Sequence, residues 1–212
     1  LSSANALAAP VDLSTWQHDG SGNWSVQNAP ANDSVKQTSN GDPTVFFEAG
    51  TLAQGQALSG TIKVETSSDD DFIGFVLGYE DGEIGSSTTD FILIDWKQNS
   101  QSFCGGTAGA GLSISRVTDA DTACSFWTHT NGVTELKRAT SLGSSGWADN
   151  TEYAFDLQFT GGKIEVSVNN VLELELTAAE AGVASFDDGA FGFYNYSQSN
   201  VRYSAIEEST TT

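Results

Sequence analysis

Apolar and polar residues alternate with period two along much of the 212-residue chain, a pattern that predicts half-buried strands. Ile62 and Val64 alternate with Lys63 and Glu65, and Phe155, Leu157 and Phe159 with Asp156 and Gln158. Ile164, Val166 and Val168 alternate with Glu165 and Ser167, and Leu172, Leu174 and Leu176 with Glu173 and Glu175. Asn169-Asn170, between the last two runs, reads as a two-residue hairpin turn because Asn tolerates positive φ. Phe72 to Tyr79 and Phe91 to Trp96 are more continuously apolar, as strands buried on both faces or central in a sandwich are. Thr44–Phe47, Leu112–Val117, Phe126–His129, Ala190–Tyr196 and Val201–Ile206 are further strand candidates. No stretch combines a helical period with caps. The pattern predicts an all-β chain of roughly a dozen strands in two packed sheets.

The length suits a single large β-sandwich. Residues 1–9 read as a leader or signal-peptide remnant, since Ala6-Leu7-Ala8 before Ala9-Pro10 has the small-x-small form of a signal-peptidase site. One domain then covers 10–208, and 209–212 read as the start of a polar linker. No apolar run reaches transmembrane length. Cys104 and Cys124 are the two cysteines, and no CxxC or His-rich pattern surrounds them. A single disulfide in an oxidising compartment is expected, while zinc is disfavoured because neither His18 nor His129 stands at ligand spacing from a cysteine. Export and disulfide agree on an extracellular setting, secreted or at the cell surface.

Charge narrows the function classes. The chain carries 28 acidic against 8 basic residues, a formal net charge of −20. Such a surface repels phosphate backbones and argues against nucleic acid as a partner. The carboxylates either bind divalent cations, which seek oxygen ligands, or keep the protein soluble. Only a local cluster can be argued as a site.

Several blocks, in order, resemble the C-terminal domain of thrombospondins and its bacterial relatives. They are Ser67-Ser68-Asp69-Asp70-Asp71-Phe72-Ile73-Gly74-Phe75-Val76-Leu77-Gly78-Tyr79, Phe91-Ile92-Leu93-Ile94-Asp95-Trp96-Lys97-Gln98, and Gly146-Trp147 with Thr151-Glu152-Tyr153. Gly192-Phe193-Tyr194-Asn195-Tyr196-Ser197-Gln198 and Val201-Arg202-Tyr203 follow. The resemblance implies a two-sheet antiparallel jelly-roll β-sandwich of the concanavalin A-like, lectin and glucanase type. It also implies calcium binding, a role in adhesion or matrix contact and no catalysis. The calcium-binding repeats that precede this region in the animal proteins are absent from the sequence, so their part in cell attachment is not carried over. In this form the chain is similar to bacterial secreted or surface members.

Asp69, Asp70 and Asp71 form the leading metal candidate, because three adjacent carboxylates repel one another unless a cation offsets them. Neighbouring side chains on an extended chain point to opposite faces, so two of the three plus carbonyls from another loop make the expected calcium shell. Asp119 with Asp121, and Asp187-Asp188, are secondary candidates. Asp95, set among apolar residues, is expected either to pair with Lys97 or to face a metal. Trp96 and Trp127 read as core, and Trp16 and Trp24 as the better candidates for an exposed sugar-stacking face. The expected partner is a carbohydrate or an extracellular matrix or surface ligand. The enzymatic alternative is a glycoside hydrolase, which needs two carboxylates across the scissile bond. Glu173 and Glu175 share a strand face, but their alternation with Leu reads as an exposed face. A Ser-His-Asp hydrolase is weaker still, since Gly143-Ser144-Ser145-Gly146 is no Gly-x-Ser-x-Gly elbow.

Overall fold

The computed structural model describes residues 7–120 and 122–211. The first strands are β1 (Ala9–Pro10), β2 (Gln17–Gly20), β3 (Trp24–Gln27), β4 (Ser34–Gln37), β5 (Thr44–Phe47) and β6 (Gln56–Val64). Next come β7 (Phe72–Tyr79), β8 (Phe91–Lys97), β9 (Gln101–Phe103), β10 (Gly106–Ala108), β11 (Gly111–Val117), helix α1 (Ala123–Thr128) and β12 (Val133–Arg138). The chain closes with β13 (Glu152–Phe159), β14 (Lys163–Val168), β15 (Val171–Thr177), β16 (Ala190–Tyr196) and β17 (Val201–Thr210). Among the described residues these strands build two large antiparallel sheets and one small hairpin. The first sheet runs β15-β14-β13-β6-β17-β4-β3, with β1 on β17; the second runs β12-β11-β8-β7-β16-β5-β2; β9 and β10 form the hairpin. The expected two-sheet antiparallel sandwich is what forms.

The alternating strands of the first sheet bury one face. Phe155, Leu157, Phe159, Ile164 and Val166 meet Ile73, Phe75, Ile94, Ile114 and Phe193 of the second sheet in the main core. Tyr203 reaches across that core, its hydroxyl 2.9 Å from the Tyr194 carbonyl and accepting the Gly74 N–H at 3.3 Å. The second sheet is apolar on its other face too, where Phe72, Val76, Phe91, Leu93 and Tyr194 join a separate buried cluster. This second burial explains the near-continuous hydrophobicity of β7 and β8.

The second face is covered by α1 together with the β9–β10 hairpin and its disulfide, Cys104–Cys124. Residues 126–129, expected as strand, are largely helical. Adjacent Phe126 and Trp127 are both buried, which a strand cannot arrange on one side but successive positions of a helix can. Thr122 caps the start by accepting the Ser125 N–H at 3.3 Å, and His129 ends the helix at φ 49°.

The Asn169-Asn170 hairpin forms as expected, with φ values of 49° and 64°. Beyond it the pairing of β14 with β15 shifts between Val166 and Ser167. The shift leaves Glu173 as an extra residue and breaks the expected alternation at this point, so that Leu172 is exposed and Glu173 is buried, while Leu174 and Leu176 stay buried and Glu175 exposed as expected. Glu173 accepts hydrogen bonds from the Ser141 and Leu142 N–H groups at 2.8 and 3.1 Å, and from the Ser141 hydroxyl. Its carbonyl accepts the Thr140 N–H at 2.8 Å, and Lys137 Nζ donates to the Glu175 carbonyl at 2.7 Å. The outer edge of β15 is thereby stitched to the β12 side of the other sheet.

At the ends, Ser209 and Thr210, expected in a linker, pair with Ala57 and Gln56, and Ala9, expected in a leader, pairs with Glu208. Residues 1–6, the rest of the expected leader, lie outside the described residues.

Two outcomes follow for stability. Replacing both cysteines by serine frees a loop whose ends lie 20 residues apart and lowers unfolding free energy by about 3 kcal/mol; unchanged urea unfolding would contradict the cap's dependence on this link. Glu173→Ala removes a buried carboxylate from three donors and costs about 2–3 kcal/mol, whereas a surface glutamate would cost little. The same unfolding curves measure it.

Candidate functional site

Asp69, Asp70 and Asp71 stand where the chain enters β7, and their carboxylate oxygens come within 4.8 Å of one another. Oxygens on opposite sides of a calcium ion are separated by about the same distance, since each lies about 2.3–2.6 Å from the metal. Asp69 and Asp70 are partly exposed and Asp71 is buried. Asp69 accepts the Asn40 side-chain amide and the Asp70 N–H, the latter at 3.1 Å. The Asp71 N–H donates to Gln198 Oε1 at 3.0 Å, and the Asp71 carbonyl accepts Trp147 Nε1 at 3.0 Å. By charge and spacing the donor set fits a hard cation.

A cation of the chain's own already stands among these groups. Lys97 is 0% exposed, and register places it opposite Phe72, next to the acidic run. Its Nζ donates to Asp71 Oδ1 at 2.5 Å, to the Asp70 carbonyl at 3.2 Å and to Gln101 Oε1 at 3.2 Å. It lies 3.6 Å from Asp70 Oδ1 and above the rings of Phe72 and Trp127, 5.2 and 4.7 Å from their centroids. Pairing with Asp95, one of the two expectations for that residue, does not occur: Lys97 pairs with Asp71. The legible signal was a lysine closing a run of buried residues, where a charge demands a partner.

Asp95 is instead the centre of a second buried network. It accepts the Ser113 hydroxyl at 2.8 Å and lies 2.8 Å from His129 Nε2, whose Nδ1 lies 3.2 Å from Glu135. Glu135 receives Arg138, which also donates to the Ala110 and Gly143 carbonyls. Burial disfavours the imidazolium, but the charge of Asp95 and the hydrogen bonds to Asp95 and Glu135 outweigh it and hold His129 at about 10. The hydrogen bond with His129 in turn draws Glu135 down to about 2. Because the Ser113 hydroxyl is given to Asp95 rather than to the imidazole, the trio is an ion-pair anchor for α1 and not a nucleophile with its base. Glu173, read from the sequence as lying on an exposed face, is buried and holds the 140–142 loop.

The secondary acidic candidates gather elsewhere. Asp119, Asp187 and Asp188 line an open basin of about 490 Å³ with Glu80, Glu83 and Asp90. Arg116 Nε donates to Asp90 at 2.7 Å, and Glu83 accepts the Glu80 and Asp90 N–H groups at 2.8 and 3.0 Å. Burial pushes the Glu83 carboxyl up. Asp121 lies outside the described residues. Trp16 and Trp24, expected to be exposed, turn inward: Trp16 packs on Phe46 and Phe193, and Trp24 stacks on Phe46 while donating to Thr44 Oγ1 at 3.0 Å.

Against known proteins, the sequence profile of the thrombospondin C-terminal region matches residues 19–211. The chain belongs to this family. Thrombospondin-4 of Bos taurus is 29% identical over 202 residues, which cover 87% of this chain and 20% of that protein; the domain thus corresponds to a fifth of its relative's length. Among solved structures, the carbohydrate-binding module CBM66 from Bacillus subtilis superposes with a TM-score of 0.63 at 8% identity, covering 92% of this chain and 96% of that one. The VIP36 exoplasmic/lumenal domain in its Ca2+/Man2-bound form superposes with a TM-score of 0.56 at 13% identity, covering 93% and 82%. At these identities the structural likeness establishes the fold, a lectin-type jelly roll.

The His129 anchor of this thrombospondin-type domain carries a pH signature. A raised histidine stabilises the fold fully below its unfolded value near 6.5 and loses that contribution as pH rises through about 10. The lowered Glu135 contributes above its unfolded value near 4.5 and loses that contribution as pH falls toward about 2. The melting-temperature gap between the native protein and His129→Gln is therefore widest near pH 5–6 and closes toward pH 10. A gap independent of pH would show that His129 acts by packing alone.

Proposed function

We propose that this domain is an extracellular, calcium-supported binding module that recognises a glycan or matrix surface, without catalysis. The observation that carries the reading is the family match across residues 19–211 on a sandwich shared with a carbohydrate-binding module and with a lumenal domain bound to calcium and mannose. The disulfide that pins the cap supports an oxidising, extracellular setting.

Calcium enters through Asp69 and Asp70, whose side chains reach solvent, with the buried Asp71 behind them. Asp119 in the acidic basin is the second position. The ion's chemistry here is to draw carboxylate oxygens together and stiffen the loops that carry them. Asp69 and Asp70 hold it, Asn40 orients the Asp69 carboxylate, and Asp71 keeps the entry to β7 in place through Lys97 and Gln198. A net charge of −20 disfavours polyanionic ligands and leaves neutral glycans as the expected class.

The test is a glycan array probed with and without chelator, alongside thermal unfolding in millimolar calcium. Calcium raises the melting temperature, as a ligand of the folded state must, and the rise shrinks in Asp69→Asn/Asp70→Asn. Neutral glycans are retained in calcium and released by chelator. Absence of any melting shift together with a blank array would sink the proposal.

A further inference from the structure

We propose that Lys97 sets the cation affinity of the acidic turn: its buried ammonium is an internal counter-ion that folds Asp69–Asp71 without metal and holds calcium binding weak. The inference rests on the calcium reading above and adds to it the residue that governs its strength.

The ammonium cannot retreat. Lys97 is 0% exposed, tied to Asp71 Oδ1, the Asp70 carbonyl and Gln101 Oε1, and roofed by Phe72 and Trp127. A calcium ion coordinated by these carboxylates would touch oxygens that themselves lie 2.5 to 3.6 Å from Nζ. Metal and ammonium would then stand a few ångströms apart, and like charges at that range in a partly desolvated site repel strongly.

Lys97 also removes ligands. Asp71 Oδ1 and the Asp70 carbonyl, both oxygens a calcium ion would want, are its acceptors. An incoming ion meets two net negative charges instead of three. The apo turn gains what the metal loses: a buried Asp71 with no cation beside it would carry an uncompensated charge, and Lys97 cancels it. Exchanging lysine for a neutral residue therefore weakens the metal-free fold and strengthens the metal site together.

Calcium titrations by calorimetry, and terbium luminescence excited through Trp147, which donates to the Asp71 carbonyl at 3.0 Å, measure the affinity. Lys97→Gln is expected to melt lower in chelator, to recover with calcium, and to bind calcium at least about tenfold more tightly than the native protein. Lys97→Arg keeps the charge and stays near the native affinity. Should Lys97→Gln not fold, Asp71→Asn is compared with Lys97→Gln/Asp71→Asn, a pair that differs only in the ammonium; the double variant binds more tightly. Lys97→Gln binding no more tightly than native, or an equal affinity within the Asp71→Asn pair, overturns the inference. A native calcium response that is lost in Asp69→Asn/Asp70→Asn but unchanged in Lys97→Gln leaves the calcium reading standing and removes Lys97 from it. Tight binding by Lys97→Gln with no native response does the reverse.

Discussion

A sheet that is apolar on both faces must be covered twice, and much of this structure answers that constraint. The first sheet covers one face of β7, β8 and β16 and forms the main core. Nothing in a plain two-sheet sandwich covers the other. Here α1 and the β9–β10 hairpin do so, with Phe126 and Trp127 as the side chains that fill the space. A six-residue helix and a three-residue ladder are too short to be stable alone. The disulfide and the ion pairs beneath them hold the cover in place.

The charges in those ion pairs are buried, or partly exposed at Glu135, and each is matched. Lys97 answers Asp71, and His129 answers Asp95 while turning its other nitrogen to Glu135. Isolated, any of these ions would be expelled or neutralised; paired, they fix where the cover sits, because a charge tolerates displacement far less than a methyl group does. The cover thus has an apolar contribution that is broad and forgiving and an ionic one that sets position. The acidic turn shares this arrangement, so the cation-facing rim and the buried anchor are built from neighbouring residues.

Much of the fold was legible in the sequence because period two is a local signal. Thr44–Phe47, Phe72–Tyr79 and Ala190–Tyr196 coincide with β5, β7 and β16, and the paired asparagines mark their turn through a preference intrinsic to Asn. What alternation could not show is anything that breaks it. At Glu173 one extra residue turns Leu172 out and Glu173 in, although Leu174 and Leu176 keep their expected face, and only the register with β14 reveals it. Residues 126–129 are too few to separate helix from strand by period. Trp16 and Trp24 sit in turn-rich sequence, where local composition says nothing of the distant Phe46 and Phe193 they meet. The acidic run was visible as a cluster, but its counter-charge came from a different strand 26 residues away, a separation no local pattern spans. Likewise Asp119 and Asp187 share a basin only because the sheets bring them together.

The stitch between β12 and β15 bears on how one molecule can meet another. A strand at the margin of a sheet ordinarily presents a row of free carbonyls and amides, an invitation for a second chain to extend the ladder. On β15 the Glu173 and Glu175 carbonyls are taken by Thr140 and Lys137, and the irregular register at Glu173 bends that margin out of the straight line a new strand would need. Growth of the sheet from this side is blocked by occupancy and by shape at once. Contacts there must be made by side chains, and side-chain contacts can be selective where backbone ladders are not.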